Sequence, residues 1–214
     1  IQPPQAAAPV QNAQPVNTQA QSISTHANIF TNASTYHYLT GNGFMNDIAF
    51  FNTYKDRKTG FANMDLIQPL LPGLYGIGAP PSNGKTTFSW QFANQQACMG
   101  EYVLYFAQEQ TKSELVPKSL SHRFYMAYRA DASQNNGQSI LPRYTSIDIR
   151  YGNADIARVQ SMAAAHALDI QDRLFVFDGG FSHTIDDIIL CVESFIHQTG
   201  RTPVVILDYL QIIE

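Results

Sequence analysis

The sequence predicts an α/β fold in which helices cover both faces of a mostly parallel sheet. Short apolar runs that suit buried strands alternate with longer segments of helical character, and three of these runs lead into polar residues that could bind a ligand. A continuous apolar run is expected of a parallel strand that is covered on both faces. A chain of 214 residues with 44% hydrophobic residues can also bury a sizeable core.

The N-terminal stretch is predicted to be a low-complexity, flexible linker over residues 1–43. Ile1–Thr25 contains no Lys, Arg, Asp or Glu and is rich in Gln, Ala and Pro, so it cannot bury a core. The pattern changes at Phe44, because Phe44, Ile48 and Phe51 fall on one stripe of a helix. We therefore assign residues 44–58 to a short linker helix and residues 59–214 to the folded core.

A loop that suits phosphate binding follows the apolar run at 74–78, which is predicted to be a buried strand. The loop consists of Ala79, Pro80, Pro81, Ser82, Asn83, Gly84, Lys85, Thr86 and Thr87. It fits the pattern G-x-x-x-x-G-K-[ST], with Ala79 in the place of the first glycine. Backbone amides of such a loop attract phosphate, and so does the N-terminus of the helix predicted over 86–99 and ended by Gly100. Lys85 could bind the β- and γ-phosphates and Thr86 could offer its hydroxyl to Mg²⁺.

A second apolar run, Glu101–Ala107, is predicted to be a strand with Glu109 just beyond its end. A carboxylate there could orient and activate a water molecule for attack on a γ-phosphate. It could equally be an acid in the first turn of the helix predicted over Thr111–Arg123, where the helix dipole favours negative charge. The residues alone leave both interpretations open.

The third run, Pro203–Asp208, ends in an acid close to the end of the chain. Ligands of open α/β sheets bind in the crevice at the carboxyl ends of the strands. Asp208 is therefore predicted to hold Mg²⁺ opposite Thr86. The alternative is that Asp208 only caps the element that follows.

Several further elements are predicted between these runs. We expect a loop over Ala130–Pro142, a short strand at Ile147–Arg150, a helix over Asp155–Leu168, a strand at Leu174–Asp178 and a helix that begins at Thr184. Thr184 and Asp187 approximate a capping box, so Asp186 and Asp187 are better explained as helix-start acids than as catalytic groups.

Composition excludes some classes of protein. The net charge is −4 with 13 Lys and Arg residues, which argues against a module that coats nucleic acid. Cys98 and Cys191 have no partnering pattern, so we expect buried free thiols in a reducing compartment. The sequence shows neither a membrane-spanning run nor the pattern of a signal peptide, and this predicts a cytoplasmic protein. The histidines lack ligand spacing, so we expect no metal besides Mg²⁺.

Taken together, residues 59–214 resemble the C-terminal, RecA-like P-loop ATPase domain of DnaB-like replicative DNA helicases. Thr59-Gly60-Phe61-Ala62-Asn63-Met64-Asp65 resembles the entry motif of that family. Residues 79–87 are similar to its A-x-P-S-x-G-K-T-T loop, in which Ala commonly replaces the first Gly. Asp208-Tyr209-Leu210-Gln211 matches its D-Y-L-Q Walker B signature. One departure lies at Ala107-Gln108, where Ser-Leu is usual.

The resemblance implies the motor domain of a hexameric DNA helicase that couples ATP hydrolysis to single-stranded DNA translocation and duplex unwinding. It implies ATP and Mg²⁺ at residues 79–87, catalytic roles for Lys85 and Glu109, and metal ligation by Thr86 and Asp208. The implied partners are single-stranded DNA, further copies of the chain in a ring, and a primase or helicase loader, with no membrane. The alternative is a RecA-like ATPase that acts as a nucleotide-dependent switch, loader or assembly protein without unwinding.

The resemblance also sets an expectation about the end of the chain. The family continues past D-Y-L-Q with a sensor glutamine, loops that bind single-stranded DNA and an arginine finger that acts on the neighbouring subunit. We therefore expect a RecA-like core that is truncated after Walker B and weakly active or inactive alone. In this family a linker helix docks on the adjacent subunit, so the stripe at 44–58 packs either there or on its own domain.

Overall fold

The computed structural model describes residues 39–178 and 184–208. Residues 1–38 of the linker predicted over 1–43, and residues 209–211 of the D-Y-L-Q signature, lie outside the described residues. The chain divides into two compact units, Ile1–Thr53 and Tyr54–Glu214. In the first unit a π-helical turn, Leu39–Gly43, leads into helix α1, Phe44–Asn52, where the sequence predicts a helix.

The second unit is built on a sheet of three parallel strands among its described residues. These are β1 (Val103–Ala107), β2 (Leu174–Asp178) and β3 (Val204–Asp208), in the order β2-β1-β3. All five residues of β1 are buried, as expected of a central strand covered on both faces. The strands predicted at Glu101–Ala107, Leu174–Asp178 and Pro203–Asp208 are thereby confirmed.

The same unit contains six helices in the described ranges. They are α2 (Ala62–Asp65), α3 (Lys85–Cys98), α4 (Lys112–Gln134), α5 (Ser146–Arg150), α6 (Ile156–Ile170) and α7 (Ile185–Thr199), with a 3₁₀ turn at Gln171–Arg173. None of the described helices combines the length and the apolar character that a bilayer-spanning segment requires.

The core has two layers, one on each face of the sheet. Trp90, Ala93 and Ala97 of α3 pack with Leu115 of α4 on the face that carries Tyr105. On the opposite face, α7 packs against the sheet through side chains that include Ile188, Val192 and Phe195, and these meet Leu104 and Phe106 of β1. Each fully buried side chain of this size contributes about 1.5–3 kcal/mol. The predicted α/β architecture with helices on both faces is confirmed.

Local signals explain where the helices begin and end. Thr184 and Asp187 form the predicted capping box: the Thr184 hydroxyl accepts from the Asp187 amide at 3.2 Å, and the Asp187 carboxylate accepts from the Thr184 amide at 3.0 Å. Asp186 and Asp187 therefore lie in the first turn of α7, as expected. Gly100 follows α3 with φ at +100°, a conformation that favours glycine, so the predicted stop is also confirmed.

The strand predicted at 74–78 is wrong. This run is irregular and exposed, and Leu74 is fully accessible to solvent. Glycines at 73, 76 and 78 explain the failure, because glycine in a strand costs conformational entropy and offers no side chain to pack. The phosphate-type loop is therefore entered from an irregular segment within the described chain.

Three smaller expectations also need correction. Ile147–Arg150 is not a strand but lies in helix α5, because Thr145 and Asp148 form a capping box there. The loop expected from Ala130 begins later, since α4 runs to Gln134 and ends at left-handed residues 136 and 137. Cys98 is exposed rather than buried, because it is the last residue of α3.

Candidate functional site

The phosphate-type loop joins α3 at Gly84, a residue whose backbone conformation only glycine adopts readily. Gly84 has φ +79° and ψ +21° and is the N-cap of α3. Within the described chain, no side chain caps the first amides of α3 and no acid lies in its first turn. The N-terminus of a 14-residue helix thus presents free N–H groups and partial positive charge beside the loop. This arrangement suits the binding of a phosphate group.

Lys85 folds back over this loop. Its ammonium donates to the carbonyl oxygens of Ala79 at 2.9 Å and Pro80 at 3.3 Å. An ammonium has three protons to donate, so these two contacts leave donor capacity for a ligand. The contacts hold the positive charge at the loop, and its role toward phosphate stays a prediction.

The structure brings Thr86 and Asp208 together, although 122 residues separate them. The Thr86 hydroxyl donates to one carboxylate oxygen of Asp208, Oδ1, at 3.2 Å. Thr86 lies in the first turn of α3, and Asp208 is the last residue of β3. A hydroxyl and a carboxylate beside a phosphate-type loop are the oxygen ligands that Mg²⁺ prefers. The donor set therefore fits the ion, and metal ligation by both residues stays a prediction.

Glu109 lies two residues past the end of β1 and is exposed. The Gln108 amide donates to the Asp208 carbonyl at 2.8 Å, so pairing with β3 continues up to the residue before Glu109. Helix α4 begins only at Lys112 and carries Glu114 in its first turn. The interpretation of Glu109 as a first-turn helix acid is therefore wrong, and its role as a base stays a prediction.

Two further charged groups at this edge were not anticipated. Asp178 ends β2 and lies in register with Ala107, as Asp208 does on the other side. It accepts from the Lys112 amide at 2.8 Å and pairs with the Lys112 ammonium at 3.2 Å, and the amide hydrogen bond in particular lowers its pKa. Lys118 of α4 is partly buried, which lowers its pKa, while the charges of Asp208 and two glutamates oppose that shift.

A buried tyrosine completes the surroundings of Asp208. The Tyr105 hydroxyl donates to the second carboxylate oxygen of Asp208, Oδ2, at 2.7 Å and lies 2.9 Å from the Ser89 hydroxyl. Burial raises the pKa of Tyr105, and the contact with Asp208 adds to this, so the phenol stays protonated and able to donate. The sequence carries a signal for this contact, since a tyrosine buried in an apolar strand needs a hydrogen-bond partner.

The predicted entry motif anchors the chain to α3. The Asp65 carboxylate accepts from the Thr59 amide and hydroxyl, each at 2.6 Å, and the hydroxyl contact in particular lowers the pKa of Asp65. The Gln96 side chain donates to the Thr59 carbonyl at 3.2 Å. Gly60 has φ +85°, and a β-carbon there would lie 2.8 Å from the Gln95 side-chain oxygen. These contacts fix the segment that precedes the loop against the loop's own helix.

Comparison with known protein families gives a match. A family model described as "DnaB-like helicase C terminal domain" matches residues 57–214. The matched region contains the phosphate-type loop, Glu109 and Asp208. No curated protein matches the chain.

Proposed function

Because this chain belongs to the family of DnaB-like helicase C-terminal domains, whose fold is RecA-like, we propose that it binds ATP with Mg²⁺ at residues 79–87 and hydrolyses it. Membership makes it a helicase-type ATPase domain, and ATP and Mg²⁺ are the ligands that the family generally uses. The observation that carries the proposal is the 3.2 Å contact between the Thr86 hydroxyl and the Asp208 carboxylate. It supports one binding site formed by the loop and the end of β3.

Each residue would contribute a separate interaction. The free amides at the start of α3 would bind phosphate oxygens, and Lys85 would place its charge on the β- and γ-phosphates. Thr86 and Asp208 would hold Mg²⁺, which supplies charge neutralisation at the phosphate oxygens when bound. Glu109 would orient a water molecule and accept its proton as general base.

Family membership also supports a proposal about the wider function. We propose that the protein assembles into a hexameric ring, binds single-stranded DNA, and couples hydrolysis to translocation and duplex unwinding. We propose a primase or a helicase loader as a further partner. A nucleotide-dependent switch without unwinding would use the same ATP-site residues, so the response to DNA separates the two functions.

Steady-state ATP hydrolysis by the intact protein, measured with and without single-stranded DNA, tests this proposal. Glu109→Gln keeps the size of the side chain but removes the base, so hydrolysis should fall about 10²–10⁴-fold while nucleotide binding persists. Glu193→Gln, an exposed change on α7, is the matched control and should hydrolyse at the wild-type rate. A wild-type rate in Glu109→Gln would remove Glu109 from the mechanism. A hydrolysis rate that single-stranded DNA does not change would favour the nucleotide-dependent switch.

A further inference from the structure

A hydrogen bond from Tyr105 to Asp208 joins the central strand to the carboxyl end of β3. Tyr105 is 0% exposed and Asp208 is 6% exposed. In the parallel register Tyr105 lies opposite Ile206, so Asp208 is its diagonal neighbour on the same face of the sheet. Diagonal neighbours are within reach of an aromatic side chain. The phenol oxygen can thus reach a carboxylate that the sheet itself holds in place.

The two carboxylate oxygens of Asp208 have different donors. Thr86 donates to Oδ1 at 3.2 Å, and Tyr105 donates to Oδ2 at 2.7 Å. The shorter bond comes from the more buried group. With Oδ2 held by Tyr105, rotation of the carboxylate is restricted, and Oδ1 is directed toward the hydroxyl of Thr86.

Ser89 fixes the tyrosine hydroxyl in turn. It lies one helical turn after Thr86 on α3, and its hydroxyl is 2.9 Å from the Tyr105 hydroxyl and 3.2 Å from the Thr86 carbonyl. The single phenol proton goes to the carboxylate, which is the stronger acceptor, so the one proton of the Ser89 hydroxyl is shared between the phenol oxygen and the Thr86 carbonyl. Edge-to-face packing on Trp90, with ring centroids 5.1 Å apart, holds the tyrosine ring.

We propose that Tyr105, supported by Ser89, is a positioning residue that orients the Asp208 carboxylate for the metal ion that accompanies the nucleotide. The inference rests on the proposed function, because it assumes that Asp208 and Thr86 bind Mg²⁺. Groups that hydrogen-bond to metal ligands fix their orientation, and removing such a group commonly weakens metal affinity about 10–100-fold. Tyr105 contributes through Asp208 and does not contact the metal.

Calorimetric titration with ADP over a series of free Mg²⁺ concentrations tests the role of Tyr105. ADP avoids turnover, and Tyr105→Phe keeps the ring while removing the hydroxyl. We expect the Mg²⁺ concentration at half-maximal tightening of ADP binding to rise roughly tenfold, with ADP affinity in EDTA unchanged. Tyr102→Phe is the matched control. Tyr102 precedes β1 and its ring contacts Phe195, so this variant should show the same Mg²⁺ concentration at half-maximal tightening as the wild type.

The outcomes separate this inference from the proposed function. A wild-type protein that fails to bind ADP in a Mg²⁺-dependent way would overturn both. If the wild type binds, an unchanged Mg²⁺ midpoint in Tyr105→Phe overturns the positioning role alone. A loss of ADP affinity in Tyr105→Phe that is as large in EDTA as in Mg²⁺ also overturns it, because the substitution would then weaken nucleotide binding independently of the metal. If Tyr105→Phe does not fold, as judged by circular dichroism, Ser89→Ala decides: a raised Mg²⁺ midpoint supports the inference, and an unchanged one overturns it.

Discussion

Gly84 shows how a single residue sets the shape of the loop. Its φ of +79° lies in the left-handed region, and a β-carbon added there would meet nothing within 4 Å. The cost of a larger residue is therefore backbone strain and not a steric clash. Gly73 offers a contrast, because it has the same open surroundings without a left-handed φ.

Gly84→Ala should lower the free energy of unfolding by about 1–2 kcal/mol, since a left-handed conformation costs an L-residue about that much. Gly73→Ala should be neutral or slightly stabilising, because it reduces the freedom of the unfolded chain without strain. Urea denaturation of both variants measures the difference. Equal stability of the two variants would show that the left-handed turn before α3 is not a constraint.

Individual residues also show how much of the site could be predicted from the sequence. The position of Lys85 and Thr86 at the start of α3 was predictable because the loop pattern is local. Asp208 was predictable because carboxyl ends of parallel strands share one edge. The contact of Tyr105 with Asp208 was missed, since it depends on the diagonal register of two strands that are distant in sequence.

Among the elements, helices α3, α4 and α6 meet at a polar cluster. Asn94 of α3 accepts from the Ser119 hydroxyl at 3.0 Å and lies 2.9 Å from Nε2 of His166. The Arg123 guanidinium lies 3.1 Å from Nδ1 of the same imidazole. A neutral imidazole with its proton on Nε2 satisfies both contacts, because it donates to Asn94 and accepts from Arg123. Protonation of Nδ1 would turn the second contact into a clash of two donors.

Acid should therefore destabilise the junction of these helices. Burial, assisted by the charge of Arg123 and opposed by that of Asp169, lowers the pKa of His166 to about 4. The unfolded chain takes up this proton near pH 6.5 and the folded chain only near pH 4, so stability is lost as the pH falls through that interval. Because His166 is only partly buried, the expected loss between pH 7 and pH 5 is about 1 kcal/mol.

Urea denaturation at pH 7 and pH 5 measures this dependence. His166→Gln keeps a donor toward Asn94 but cannot titrate, so it should lose less stability on acidification than the wild type does. The lowered pKa of His122, caused mainly by burial, acts in the same direction and remains in both proteins. An equal loss of stability in the variant and the wild type would show that protonation of His166 does not destabilise the junction of these helices.

Element prediction succeeded where the signal lay within the element. The runs that became β1, β2 and β3 are apolar and continuous, and the Thr184 cap lies beside its helix. Prediction failed at 74–78, where glycines outweigh the apolar residues, and at α5, where the Thr145 cap overrides β-branched Ile147 and Ile149. Local pattern therefore located the elements of the core but not the segment that enters the loop.

At the scale of the whole molecule, the register of the sheet determines where the chemistry lies. Ala107 at the end of β1 is opposite Asp178 on one side and Asp208 on the other, so three strands end at one edge. Helix α3 packs on the face that carries Tyr105, and its N-terminus lies at that same edge beside Asp208. The loop and the acid meet only because the fold places both there, which explains why neither motif alone would form a site.

The central claim is that residues 79–87 and Asp208 form one binding site for ATP and Mg²⁺. Calorimetric titration of ATP·Mg²⁺ into the wild type, Lys85→Ala and the exposed control Lys55→Ala tests it most directly. A charge-assisted hydrogen bond contributes about 1.5–3 kcal/mol, so Lys85→Ala should weaken binding by roughly 10- to 100-fold. Lys55→Ala should bind as the wild type does. Affinity in Lys85→Ala equal to that of the wild type would contradict the account.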